Sequence, residues 1–146
     1  MSHSIISASK GTTGIVVPGD VPVLRPSAGM PGSVASFFGE NGRWWGHWRS
    51  PQVKGGYDAI LIVREIVGDS EALIVYLVPD YPQWYVTATR WETTATFTTR
   101  EDGKLVLRVP YPPAATTMDF WLKDREMKGI MYGRYMRSDI VMRPLV

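Results

Sequence analysis

The segment YDAILIVREIVGDSEALIVYLV, residues 57–78, holds two runs of β-branched and aromatic residues separated by Gly68 and Asp69. A Gly-Asp pair between two such runs reads as a β-hairpin, because glycine takes the positive φ that a tight turn requires. In the first run Ile60, Ile62, Arg64 and Ile66 fall on one face, and Ala59, Leu61, Val63, Glu65 and Val67 on the other. Both faces are apolar, so this strand is expected to be covered on both sides. Whichever of Arg64 and Glu65 points inward needs a partner, since an unpaired buried charge is costly.

The same pattern continues in both directions. GRWWGHW (42–48) precedes the hairpin, and QWYVTATRWETTATFTTR (83–100) follows it as one bent strand or two. KLVLRV (104–109), TTMDFWLK (116–123), MKGIMYGRYM (127–136) and SDIVMRPL (138–145) complete the set, separated by turn residues such as Glu101-Asp102-Gly103 and Pro112-Pro113. Short strands at near-regular spacing, joined as consecutive hairpins, predict an all-β protein built as an antiparallel up-and-down barrel of about eight strands.

Helical signal is confined to PGSVASFFG (31–39), where Ser33 offers a cap, Val34, Phe37 and Phe38 fall at helical spacing, and Gly39 offers a stop. Residues 1–32 carry Pro18, Pro22, Pro26 and Pro31 among glycines, which disfavours both regular helix and central strand. They read as an extended arm preceding a barrel domain at 33–146. Ile15, Val16, Val17, Val21, Val23 and Leu24 are too apolar for a bare linker. The arm is expected to lie along the barrel or on a partner subunit, and a homodimer would likewise cover the two-sided strand at 57–67.

Composition narrows the chemistry. The chain of 146 residues has no cysteine, which removes disulfides, thiolate metal sites and cysteine nucleophiles together. Two histidines, His3 and His47, supply too few ligands for a histidine-based metal site, and no cofactor is expected. No nucleophile elbow, phosphate loop or dinucleotide fingerprint is present. Sixteen basic residues against fourteen acidic ones are spread along the chain, whereas nucleic-acid binders concentrate theirs on one face. No run approaches the roughly 18 apolar residues that span a bilayer, and the first residues lack the pattern of a secretory signal. A cytoplasmic protein without a nucleic-acid or membrane partner is the expectation.

The first strand carries the most telling motif. Gly42-Arg43-Trp44 and Gly46-His47-Trp48 are two Gly-x-Trp matches placed just after a short helix and before a meander of hairpins. In this the chain resembles the lipocalin-like, or calycin, superfamily, and the avidins open comparably. The later loop motifs of the lipocalins proper have no counterpart. The resemblance, which covers about residues 33–146, implies a closed barrel with a ligand cavity, in which Trp44 closes one end and Gly46 leaves room for another side chain.

Alternation puts Trp44, Gly46 and Trp48 on one face of that strand, and Arg43, Trp45, His47 and Arg49 on the other. Trp44 and Trp48 therefore read as core, and Trp45 and His47 as candidates for ligand contact. Arg64 and Glu65 join them, as do amphipathic rings on later strands: Tyr76, Trp84, Tyr85, Trp121 and Tyr135, with Arg90 beside them. Such rings stack on a ligand with their faces and hydrogen-bond it at their edges, or fill a dry core.

The first functional reading is a barrel that binds a small apolar or aromatic molecule, and the seven methionines suit an adaptable pocket. The alternative is a barrel enzyme of cyclase or isomerase type, in which Tyr76, Tyr85, Arg64, Arg90 and Glu65 orient and polarise a substrate. A third is a structural protein whose interior is filled by its own side chains. An empty interior separates the first two from the third, and an inward polar pair with a perturbed pKa separates enzyme from binder.

Overall fold

The computed structural model describes residues 4–6, 15–17, 19–133 and 136–145. In the arm, β1 (Ser4–Ile6) pairs antiparallel with β2 (Ile15–Val17). The helix α1 (Gly32–Ala35) runs into a 3₁₀ turn, Ser36–Phe38. Eight strands follow: β3 (Arg43–Arg49), β4 (Gly56–Val67), β5 (Glu71–Val78), β6 (Thr89–Thr99), β7 (Leu105–Tyr111), β8 (Thr116–Lys123), β9 (Glu126–Tyr132) and β10 (Arg137–Pro144). Each pairs antiparallel with the next, and β10 returns to β3, so the sheet closes as an up-and-down barrel.

Inside, Trp44, Trp48, Ala59, Leu61, Val63, Ile74, Tyr76, Leu107, Phe120, Met127, Ile140 and Met142 belong to one buried cluster. Small residues set how closely the walls approach. A Cβ at Gly46 would stand 2.4 Å from the Val141 carbonyl and 2.9 Å from both Ile140 and Met142. The room left by this glycine is thus filled by β10, whose ladder to β3 sets Met142 opposite Gly46.

A second buried cluster lies outside the barrel. Ile60, Ile62, Val75 and Leu77, on the outer faces of β4 and β5, are covered by Ile15 and Val21 of the arm, with Val23, Trp45 and Leu145 at its margin. The two-sided apolar strand therefore finds its outer cover within the same chain. Backbone bonds fix the arm in place: Leu24 N–H donates to the Arg64 carbonyl at 2.7 Å, and the Arg43 guanidinium donates to the Val21 carbonyl at 3.3 Å.

Three local expectations need correction. The alternation of β4 breaks at a bulge between Val63 and Glu65. Beyond it Ile66 turns inward and Val67 outward, so neither Arg64 nor Glu65 enters the barrel. Ser33 does not cap α1: Pro31 holds that position without a side-chain bond, its carbonyl accepting from Ala35 at 2.9 Å. The apolar arm, broken by proline, still forms the β1–β2 pair, because Ile15, Val16 and Val17 make a proline-free β-branched triplet. Among the described residues no helix is long and apolar enough to cross a membrane.

Candidate functional site

Strand alternation gives the barrel two chemically different ends. At one, the turn Ser36–Phe38 plugs the opening with buried Phe37 and Phe38. The Trp44 indole N–H donates to the Phe37 carbonyl at 3.0 Å, and Phe37 meets Phe97 edge to face at 5.1 Å. Gly-x-Trp here ties the first strand to the plug.

The opposite end carries the β3–β4, β5–β6 and β7–β8 connections. Just beneath them Trp48, Tyr57, Tyr76 and Tyr111 project inward, all buried. Trp48 Nε1 donates to the Tyr76 hydroxyl at 2.8 Å, and the hydroxyls of Tyr57 and Tyr76 are hydrogen-bonded to each other. The Tyr76 and Tyr111 rings meet at 5.1 Å and 79°, and the Tyr111 hydroxyl bonds the Thr89 side chain. Apolar walls thus surround a small, connected group of neutral donors and acceptors.

Burial raises the pKa of all three phenols, and their proximity adds to it for Tyr57 and Tyr76. Each is held protonated, able to donate a hydrogen bond and unable to serve as a phenolate base near neutral pH. Among the described residues the only buried polar or charged side chains besides these rings are Asp58, on the outer face, and Ser138.

Over this end lies the β5–β6 connection. Asp80 Oδ1 accepts from Ala88 N–H at 2.7 Å, and Tyr81 and Val86 form a β-bridge around the 3₁₀ turn Pro82–Trp84. Tyr81 and Trp84 pack on Tyr57 at 5.6 and 5.7 Å and on each other at 5.6 Å, making an aromatic cover. The cover is anchored to the β3–β4 loop, where Tyr81 accepts from Gly56 N–H at 3.1 Å and Trp84 Nε1 donates to the Lys54 carbonyl at 3.2 Å. Gly55 permits this approach, with φ +103° and a hypothetical Cβ only 2.2 Å from the Tyr81 hydroxyl.

Of the residues singled out in the sequence, Tyr76 and Trp84 meet here, and Tyr85 sits at the rim, 95 % exposed in the left-handed conformation. The other described ones lie on the outer surface. Trp45 packs into the arm cluster, its indole N–H buried without a hydrogen-bond partner among the described residues. His47 Nδ1 lies 2.9 Å from Oδ1 of Asp58, a carboxylate only 1 % exposed. Arg64, Glu92, Arg90 and Asp20 form a chain of ion pairs at 3.2 to 3.5 Å. Glu65 follows the bulge with Leu73 opposite it. Trp121 is flanked by Arg100 and Lys104 at 5.8 and 5.5 Å from its ring. Tyr135 lies outside the described residues.

Tyr57, Tyr81 and Tyr111 escape a reading by residue type because each stands beside a turn or at the end of a strand. Alternation carried to those ends finds two of them: Tyr57 shares a face with Ala59 and Leu61, and Tyr111 with Val109 and Leu107. No group of three or more metal-ligating side chains gathers among the described residues. Comparison with protein-family models, with curated proteins and with solved structures finds no match for this chain.

Proposed function

We propose that the tyrosine-lined end of the barrel binds a small, neutral, apolar or aromatic molecule. The observation that carries this reading is the convergence of Tyr57, Tyr76 and Tyr111, neutral and buried, beneath the cover of Tyr81 and Trp84. Such a setting rewards a flat ring with one polar edge: the walls bury its faces, and a phenol answers its polar atom. A charged ligand finds no counter-ion among the described inward side chains and would lose its hydration without return.

The same inventory favours binding over turnover. A cyclase or isomerase needs a group poised to take or give a proton near neutrality, and the inward pair Tyr57 and Tyr76 is shifted away from it. The closed meander, the short helix and the Gly-x-Trp tied to the plug support kinship with calycin-like binding barrels.

Native mass spectrometry of protein purified from its own host, followed by tryptophan-fluorescence titration with whatever co-purifies, tests this reading. A bound small molecule that shifts the emission supports it. A clean apo mass, with no shift across a library of hydrophobic compounds, overturns it in favour of a barrel filled only by its own side chains.

A further inference from the structure

The wall of the barrel is incompletely zipped beside this site. Ladder pairs between β6 and β7 run from Thr99↔Leu105 to Thr96↔Arg108 and stop. Continuing the register would set Thr94 opposite Pro110 and Thr93 opposite Tyr111, yet β6 is paired there with β5 alone, and Val109 to Tyr111 with β8 alone. The cause is legible in one residue. Trp91 Nε1, on β6, donates to the Pro110 carbonyl at 2.9 Å, so that carbonyl faces β6. A strand residue's N–H and C=O point the same way, and at Pro110 the N–H that β6 requires does not exist. A side chain stands where the ladder would be.

Exposure agrees with an open seam. Thr89, Trp91 and Thr93 lie on the inward face, opposite Val78, Tyr76 and Ile74. Those three partners are buried, whereas Thr89, Trp91 and Thr93 are each partly exposed. The inner surface of β6 is thus partly open to solvent, next to Tyr111 and the Thr89 side chain that it bonds. The aromatic cover, by contrast, is held by ring contacts on Tyr57 and by two hydrogen bonds to the β3–β4 loop.

We propose that this seam is the ligand's entrance and that Trp91 occupies the place of the ligand there. A neutral planar ring bearing an N–H or O–H, of the phenol or indole type, displaces the Trp91 indole, takes over its bond to the Pro110 carbonyl and rests against Tyr111 and Thr89. The inference rests on the binding reading above and adds a donor requirement and a route to it. Trp91 thereby sets both specificity and access: a ring without a donor leaves the Pro110 carbonyl unsatisfied.

Pro110→Ala restores the N–H whose absence leaves the ladder open, and so lets β7 zip to β6 beside the site. The probe is 2-naphthol, planar, neutral at pH 7 and carrying one O–H, followed by stopped-flow quenching of tryptophan emission. Pro110→Ala is expected to slow association at least about tenfold relative to the wild-type protein, as gating of an entrance does. Trp91→Phe, which keeps a ring and loses the bond to Pro110, is expected to speed association. On wild-type protein naphthalene, lacking the donor, binds more weakly than 2-naphthol. Association unchanged in both Pro110→Ala and Trp91→Phe, or equal binding of naphthalene, overturns the seam proposal while the binding reading stands. No binding of 2-naphthol to the wild-type protein overturns both.

Discussion

The indole of Trp48 on β3 donates a 2.8 Å hydrogen bond to the hydroxyl of Tyr76 on β5, across an interior in which both side chains are fully buried. Two strands that are not neighbours in the sheet are thereby linked through the barrel by the only polar atoms their inward rings possess. Tyr76→Phe strands the indole N–H away from water and is expected to cost about 1–3 kcal/mol. In the double variant with Trp48→Phe the two losses should sum to more than the measured whole, because the indole N–H that Tyr76→Phe strands is then absent. Chemical denaturation of the four proteins checks this.

Alkaline titration tests the burial of the phenols. The folded pKa values of Tyr57, Tyr76 and Tyr111 lie above the ordinary 10.0 of the unfolded chain. Between the two values the unfolded state releases protons that the folded state keeps, so stability is full below pH 10 and falls as pH rises above it. Ultraviolet titration should show these three tyrosines ionising at higher pH than the exposed ones. Each Tyr→Phe variant at these positions should make the loss of stability with pH less steep.

Gly46→Ala is expected to be among the most damaging small changes. Its Cβ would meet backbone, the Val141 carbonyl at 2.4 Å, as well as Ile140 and Met142. Overpacking of this kind costs about 1–3 kcal/mol or more, and a thermal melt should show it. Gly68→Ala is the control for space, since nothing lies within 4 Å of a Cβ there, although its φ of +64° still carries a backbone penalty.

Removing residues 1–24 uncovers Ile60, Ile62, Val75 and Leu77 on the outer wall. The shortened chain is expected to bind a hydrophobic dye and to associate in sedimentation at concentrations where the full chain does not. An unchanged sedimentation profile and no dye binding would show that the arm is dispensable as a cover.

What was legible in the sequence follows from how locally each feature is determined. β5 and β8 fall at Glu71–Val78 and Thr116–Lys123, the runs read from alternation and turn residues, because those signals lie within the strands. The inward placing of Trp44 and Trp48 likewise needs only the pleat. The bulge at Arg64 does not: a register shift is set by the partner strand, and one extra residue exchanges the faces of Ile66 and Val67. The site was harder still, since Tyr57 and Tyr111 are 54 residues apart in sequence, and closure of the barrel brings them together. Pro110 shows the opposite case, a single residue whose missing N–H opens a seam that only the neighbouring β6 reveals.

The most direct test of the binding site is isothermal titration of the full-length protein with 2-naphthol at pH 7, beside the Tyr57→Phe and Tyr111→Phe variants. Saturable one-to-one binding is expected, weakened roughly two- to tenfold by at least one variant, the worth of one hydrogen bond. Absence of binding, or an affinity that neither variant changes, would contradict a ligand site lined by the buried tyrosines.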